Sequence, residues 1–167
     1  MRQVLFVIVP EVVLLDVAGA AEAFRLASQL VPDSYELQFV GPHASARSAV
    51  GLQLNQLQPL PESVPDSAIV VIAGVSSRGL DLNSAPMKRV ADWLTKISGN
   101  ETVTLMCVCS GSLLAAKAGL LRGRECTTHH EFVETLAKME PTATVHGNRI
   151  FVEDGSVFTS AGVTSGI

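Results

Sequence analysis

The chain has 167 residues, 47% of them apolar and 17% charged, with a formal net charge of −4. That length suits one domain with a sizeable core, and the composition lies well away from the disordered class. The negative balance, with no block of Lys and Arg, excludes a nucleic-acid-binding surface in this segment, because phosphate contact needs a basic patch.

Residues 2–9 are almost wholly apolar and predict a central, fully buried strand. The run is too short to span a membrane, and Pro10-Glu11 follows where a signal-peptide cleavage site would develop. Residues 16–30 have helical spacing, with Ala21, Phe24, Leu26, Ala27 and Leu30 as the apolar stripe and Glu22, Arg25 and Gln29 facing water. Pro32-Asp33-Ser34 stops that helix. Residues 35–40 alternate as a second strand, ended by Gly41-Pro42. Residues 52–65 contain prolines and little pattern, which predicts a connection with one short strand at most.

Residues 68–72 predict another buried strand, running to Ala73-Gly74. Residues 86–97 predict a helix with Val90, Trp93, Leu94 and Ile97 inward and Pro86 in its first turn. A third buried strand covers 102–108, and a short helix rich in Ala and Leu covers 110–121. A further helix covers 130–139, closed by Glu140-Pro141. Three short β pieces follow at 144–146, 149–152 and 157–160, with Gly147-Asn148 and Asp154-Gly155 marking turns. This order predicts one doubly wound α/β domain over 1–167, with a mostly parallel sheet and helices on both faces. Residues 160–167 read as a loop entering another helix, with Thr164 or Ser165 as its N-cap, so the chain reads as part of a longer protein.

The residues 105–112, Leu-Met-Cys-Val-Cys-Ser-Gly-Ser, carry the sharpest chemical signal. An apolar strand runs into Cys109 and a helix leaves at once, the pattern of a nucleophile elbow. Such a turn lifts the thiol out of the sheet and aims a helix N-terminus at it, which favours thiolate. First-turn amides then stand ready for an anion or oxyanion, and Gly111 allows close approach. The competing reading is a small buried core cysteine. Asp16 follows an apolar stretch and reads both as a helix N-cap and as an acid in the crevice at the C-terminal edge of the sheet. If it shares a site with Cys109, a protonated Asp16 donates to the thiolate, whose charge raises the aspartate pKa. His129 and His130 stand at a helix start, as a base or as cap and surface residues. His43 and His146 have no visible partner, and no second ligand at metal-site spacing accompanies any of the four histidines. Three cysteines without a disulfide or zinc pattern suggest a reduced, cytoplasmic setting, and neither metal nor cofactor is expected.

The segment from Cys109 to His130 resembles the elbow segment of the ThiJ/PfpI superfamily, which is related to class I glutamine amidotransferases. Residues 14–24 resemble its leading acidic motif and residues 158–167 its closing segment. Within that superfamily the chain looks most like the amidase-like N-terminal domain of GlxA-type, AraC-family transcriptional regulators. The Thr-Ser-Ala-Gly-Val-Thr form of the closing motif points there, whereas stand-alone isonitrile hydratases tend to more glycine. The resemblance implies a flavodoxin-like, class I glutamine amidotransferase-like fold and a homodimer. It implies a sensor that binds a small nitrogen-containing metabolite near Cys109 and Asp16, with Gly74, Val75, Ser110, Gly111 and His129 lining the site. DNA would be contacted only through a helix-turn-helix domain that follows, and no membrane is involved. Two alternatives are an isonitrile hydratase-like enzyme, with Cys109 attacking carbon and Asp16 managing the proton, and a stress-related protein whose cysteine is oxidised or deglycates. Three departures stand out. Ser110 replaces the histidine of peptidase-like members, Val75 replaces a glycine, and Ala20 replaces a proline.

Overall fold

The structure is a computed structural model that describes residues 1–162, 164 and 165. In chain order its elements are β1 (Arg2–Val7), α1 (Leu14–Leu30), β2 (Tyr35–Gly41), β3 (Ser45–Arg47), β4 (Gln53–Asn55), β5 (Gln58–Pro59) and β6 (Ile69–Ile72). They continue with α2 (Ala85–Ile97), β7 (Thr104–Val108), α3 (Gly111–Lys117), β8 (Glu125–Cys126), a 3-10 turn (His130–Phe132), α4 (Val133–Met139), β9 (Thr144–Val145), β10 (Phe151–Asp154) and β11 (Val157–Ser160).

Seven strands form the main sheet in the order β10-β11-β7-β6-β1-β2-β5. Every pairing in it is parallel except β10 with β11. The strands near its middle are apolar without alternation because both of their faces are covered. Leu5, Val7, Val70 and Ile72 pack with residues of α2, α3 and α4 on one face. Val4, Phe6, Ile69 and Val71 pack with Val17 and Ala20 of α1 on the other. This is the doubly wound arrangement that the sequence pattern predicts. Among the described residues no helix is long and apolar enough to cross a membrane.

Several details depart from the sequence expectation. β1 stops at Val7, although Ile8 and Val9 remain buried, because the chain must turn away. It does so through Glu11 at φ 61°, after which Val12 bridges to both Ser48 and Val75. α1 starts at Leu14 with Val13 at the N-cap, so Asp16 is not the cap but lies in the first turn. Leu26 and Leu30 are 50% and 85% exposed rather than inward. At about 100° per residue, Leu26 lies roughly 200° around the helix from the partly buried Phe24, on the water side. The segment 52–65 holds two short strands, β4 and β5, and β4 pairs with an unforeseen β3. α3 ends at Lys117, with Gly119 at φ 77° just beyond it, and so falls short of residue 121. The 130–139 helix is split into the 3-10 turn and α4. β9 pairs with β8 in a separate two-stranded sheet. Of the closing segment, Ser165 N–H bonds Gly162 O at 3.0 Å in a turn. The helix expected there falls largely outside the described residues.

Candidate functional site

In an open α/β sheet, ligands gather at the C-terminal ends of the strands, where strand order reverses. Here β1 has β2 on one side and β6 on the other. Asp16 follows β1, Gly74 follows β6, Cys109 follows β7, and Ser160 ends β11. Four neighbouring strands, or the segments that directly follow them, thus bring these residues to one edge.

Cys109 adopts φ 58°, a left-handed conformation that a non-glycine residue adopts only when its surroundings hold it there. The hold is visible on every side. Its N–H donates to Ser160 O at 3.1 Å. Its carbonyl accepts from Thr128 Oγ1 at 3.1 Å and from Ser112 Oγ at 3.2 Å. Two glycines flank the side chain. A Cβ on Gly74 would lie 2.8 Å from Cys109 Cβ and 3.1 Å from Sγ, and one on Gly162 would lie 2.6 Å from Sγ. Gly111 serves packing: a Cβ there would run into the Ile72 carbonyl.

Asp16 is 2% exposed. Its Oδ2 accepts from Gly74 N–H at 3.1 Å, and the Cys109 thiol donates to the same carboxyl group. The pKa of Asp16 is pushed up from 3.8 to about 6. Burial is the main cause, while the bonds from Gly74 and Cys109 both pull downward. The direction is the expected one, but the reason differs: desolvation raises the pKa, and the contact with Cys109 lowers it. Asp16 Oδ1 and Ser160 Oγ are buried without a hydrogen-bond partner among the described residues. Along β11, Val157 points into the α2–α4 side, so alternation puts Ser160 on the α1 side with Asp16.

Ser110, in the position of the peptidase histidine, is fully engaged with Val75. Its Oγ accepts from Val75 N–H at 2.8 Å and donates to Val75 O at 2.9 Å. The amides of Gly74 and Val75, which the loop after β6 could lend to an oxyanion hole, are therefore both taken. His129 lies next to Thr128, but its Nδ1 accepts from Glu131 N–H at 3.4 Å and caps the 3-10 turn. Its ring leans on His130 and Phe132. His146 does have a partner, Glu125, at 3.3 Å. Cys107 and Cys126 are buried thiols whose pKa values burial raises, that of Cys126 to about 11. Among the described residues, no three His, Cys, Asp or Glu side chains group as metal ligands.

Sequence reasoning singled out Cys109, Asp16, Gly74, Val75 and Ser110, which the fold brings together. It missed Thr128, Ser112, Ser160 and Gly162 as neighbours of Cys109. Ser112 and Thr128 lie in the elbow segment and Ser160 and Gly162 in the closing motif, but nothing in those motifs pointed to contact with Cys109.

A family model described as the DJ-1/PfpI family matches residues 2–167. The HTH-type transcriptional regulator CdhR of Pseudomonas aeruginosa is 28% identical over 97% of this chain and 46% of its own length. The isonitrile hydratase of Pseudomonas putida is 29% identical over 99% of this chain and 67% of the hydratase. This chain thus spans less than half of the regulator. The crystal structure of an AraC family transcriptional regulator from Pseudomonas putida shares the fold, with a TM-score of 0.82 at 17% identity. That match covers 99% of this chain and 86% of the other.

Proposed function

The chain belongs to the DJ-1/PfpI family, and from that premise we propose that it is the ligand-sensing domain of an AraC-family transcriptional regulator. It binds a small nitrogen-containing metabolite beside Cys109. The observation that carries this reading is the commitment of the Gly74 and Val75 amides to Asp16 and Ser110. A hydrating or hydrolysing enzyme needs donors aimed at a developing oxyanion. Here the two amides that the loop after β6 could lend are already spent on Asp16 and Ser110.

Asp16 Oδ1 is the group left over for a ligand. With a pKa of about 6, Asp16 is mainly ionised at neutral pH and accepts hydrogen bonds. A ligand N–H meets that need. The span of this chain within CdhR supports a further, DNA-binding domain in the whole protein. The reading includes a cytoplasmic homodimer that touches DNA only through that domain.

The second reading is an isonitrile hydratase-like enzyme, favoured by the Pseudomonas putida relative and by the hydrogen-bonded Asp16–Cys109 pair. In it the Cys109 thiol adds to the isonitrile carbon while Asp16 carries the proton to that carbon, and water then cleaves the resulting thioimidate to free the thiol and the N-substituted formamide. One experiment separates the two: incubation with an alkyl isonitrile while N-substituted formamide is measured, beside thermal-shift measurements with a panel of amines, amides and isonitriles. The sensor reading expects a shift that Asp16→Ala abolishes, with no formamide above background. Formamide production that Cys109→Ala abolishes would establish the enzyme instead.

A further inference from the structure

Thr128 has no part in either reading of how the site treats a ligand, yet its hydroxyl donates to the backbone of Cys109. We infer that Thr128 is a positioning residue that sets the conformation, and through it the reactivity, of the Cys109 thiol. The inference does not depend on whether the site senses or turns over its ligand.

A cysteine at φ 58° stays there only if its neighbours hold both its N–H and its carbonyl. The N–H is held by β11, through Ser160 O. The carbonyl has two donors. Ser112, three residues ahead, is local and moves with α3. Thr128 is nineteen positions away along the chain and is the tertiary tie.

Thr128 is itself anchored. It is 1% exposed. The preceding Thr127 donates its N–H to Thr159 Oγ1 at 2.8 Å, and its hydroxyl, 2.7 Å from His146 O and 3.2 Å from Arg149 O, shares its one proton between those carbonyls. The Thr127-Thr128 pair therefore fastens the Cys109 turn to β11 and to the β9–β10 connection. Side chains alternate along an extended segment, so Thr127 turns to the strands and Thr128 to the cysteine. A small rotation of the Cys109 carbonyl swings Sγ between Gly74 and Gly162, which leave it little room.

Because Ser112 still donates to the Cys109 carbonyl, loss of the Thr128 hydroxyl does not orphan that buried oxygen. Thr128→Val is thus expected to fold. The test measures the iodoacetamide alkylation rate of Cys109 against pH, site by site by mass spectrometry, in wild type, Thr128→Val, Thr128→Ala and Thr128→Ser. Thr128→Val and Thr128→Ala are expected to change the rate of Cys109 about three- to tenfold, the scale of one hydrogen bond, and to move the midpoint of its pH profile. Thr128→Ser restores both. A folded Val or Ala variant with the wild-type Cys109 profile overturns the inference. So does a Ser variant that behaves like the Val variant. If neither Val nor Ala variant folds while the Ser variant does, Thr128 is a structural residue and the inference also falls.

Discussion

Replacing Asp16 by Asn removes a titration that burial displaces. In the fold the carboxyl holds its proton up to a pKa of about 6, against 3.8 in an exposed carboxylate. The folded state therefore binds that proton more tightly than the unfolded chain does. The resulting stabilisation is complete below pH 3.8 and is lost as pH rises through about 6. At about 1.4 kcal/mol per pH unit, the displacement is of order 3 kcal/mol once both states are ionised. Asp16 is 2% exposed, so solvent screening does not discount it. Asn has the same shape and no charge, and its amide oxygen can still accept from Gly74 N–H. Asp16→Asn should therefore match wild type near pH 4 and exceed it by about 3 kcal/mol near pH 8. At about 2–4 °C per kcal/mol for a domain of this size, that is roughly 6–12 °C in melting temperature. Thermal unfolding of both proteins from pH 4 to 8 measures it, and the difference between the two curves cancels every other titration. Parallel curves across that range would refute the assignment of Asp16 as a carboxyl strained by burial.

Gly74→Ala would place a Cβ 2.5 Å from Asp16 Oδ2 and 2.8 Å from Cys109 Cβ, pushing the pair apart. It should cost about 1–3 kcal/mol and shift the Asp16 titration, measured by denaturant unfolding and carboxyl NMR. At pH 7.5 iodoacetamide should label Cys109 well before Cys107 and Cys126, whose thiols burial holds neutral. Peptide mass spectrometry checks the order, and early labelling of Cys107 would contradict it. Ser110→Ala should cost about 1–3 kcal/mol and speed hydrogen exchange at the Val75 amide, which loses its acceptor. Unchanged protection there would mean that Ser110 does not hold the loop.

The alternation of buried strands and amphipathic helices was readable from local apolar spacing, as was the sharp turn at Cys109. Both are written in consecutive residues, because strand and helix periods act over a few positions. α2 illustrates this: Val90, Trp93, Leu94 and Ile97 face inward as their spacing predicts. α1 shows the limit. Its leucines at 26 and 30 are apolar yet exposed, because spacing does not say how wide a face the sheet covers. β3 and β8 are three- and two-residue strands, too short for any period to declare.

What decided the site was contact across the chain. Asp16 looks like an N-cap in sequence, but only the fold places Gly74 N–H, 58 positions away, against its carboxylate. Ser110 reads as a missing histidine until its hydroxyl is seen closing on Val75 from both sides. Thr128 carries no local signal at all, since a threonine before a helix is ordinary and its partner is a carbonyl nineteen positions earlier. The sequence by itself determined which elements form and where the thiol emerges, since both follow from short-range sterics and the burial of apolar side chains. The tertiary structure alone decided which buried polar groups are satisfied and which, among the described residues, are not. Hydrogen bonding in a low-dielectric interior depends on ångström-scale placement of groups that local pattern does not encode.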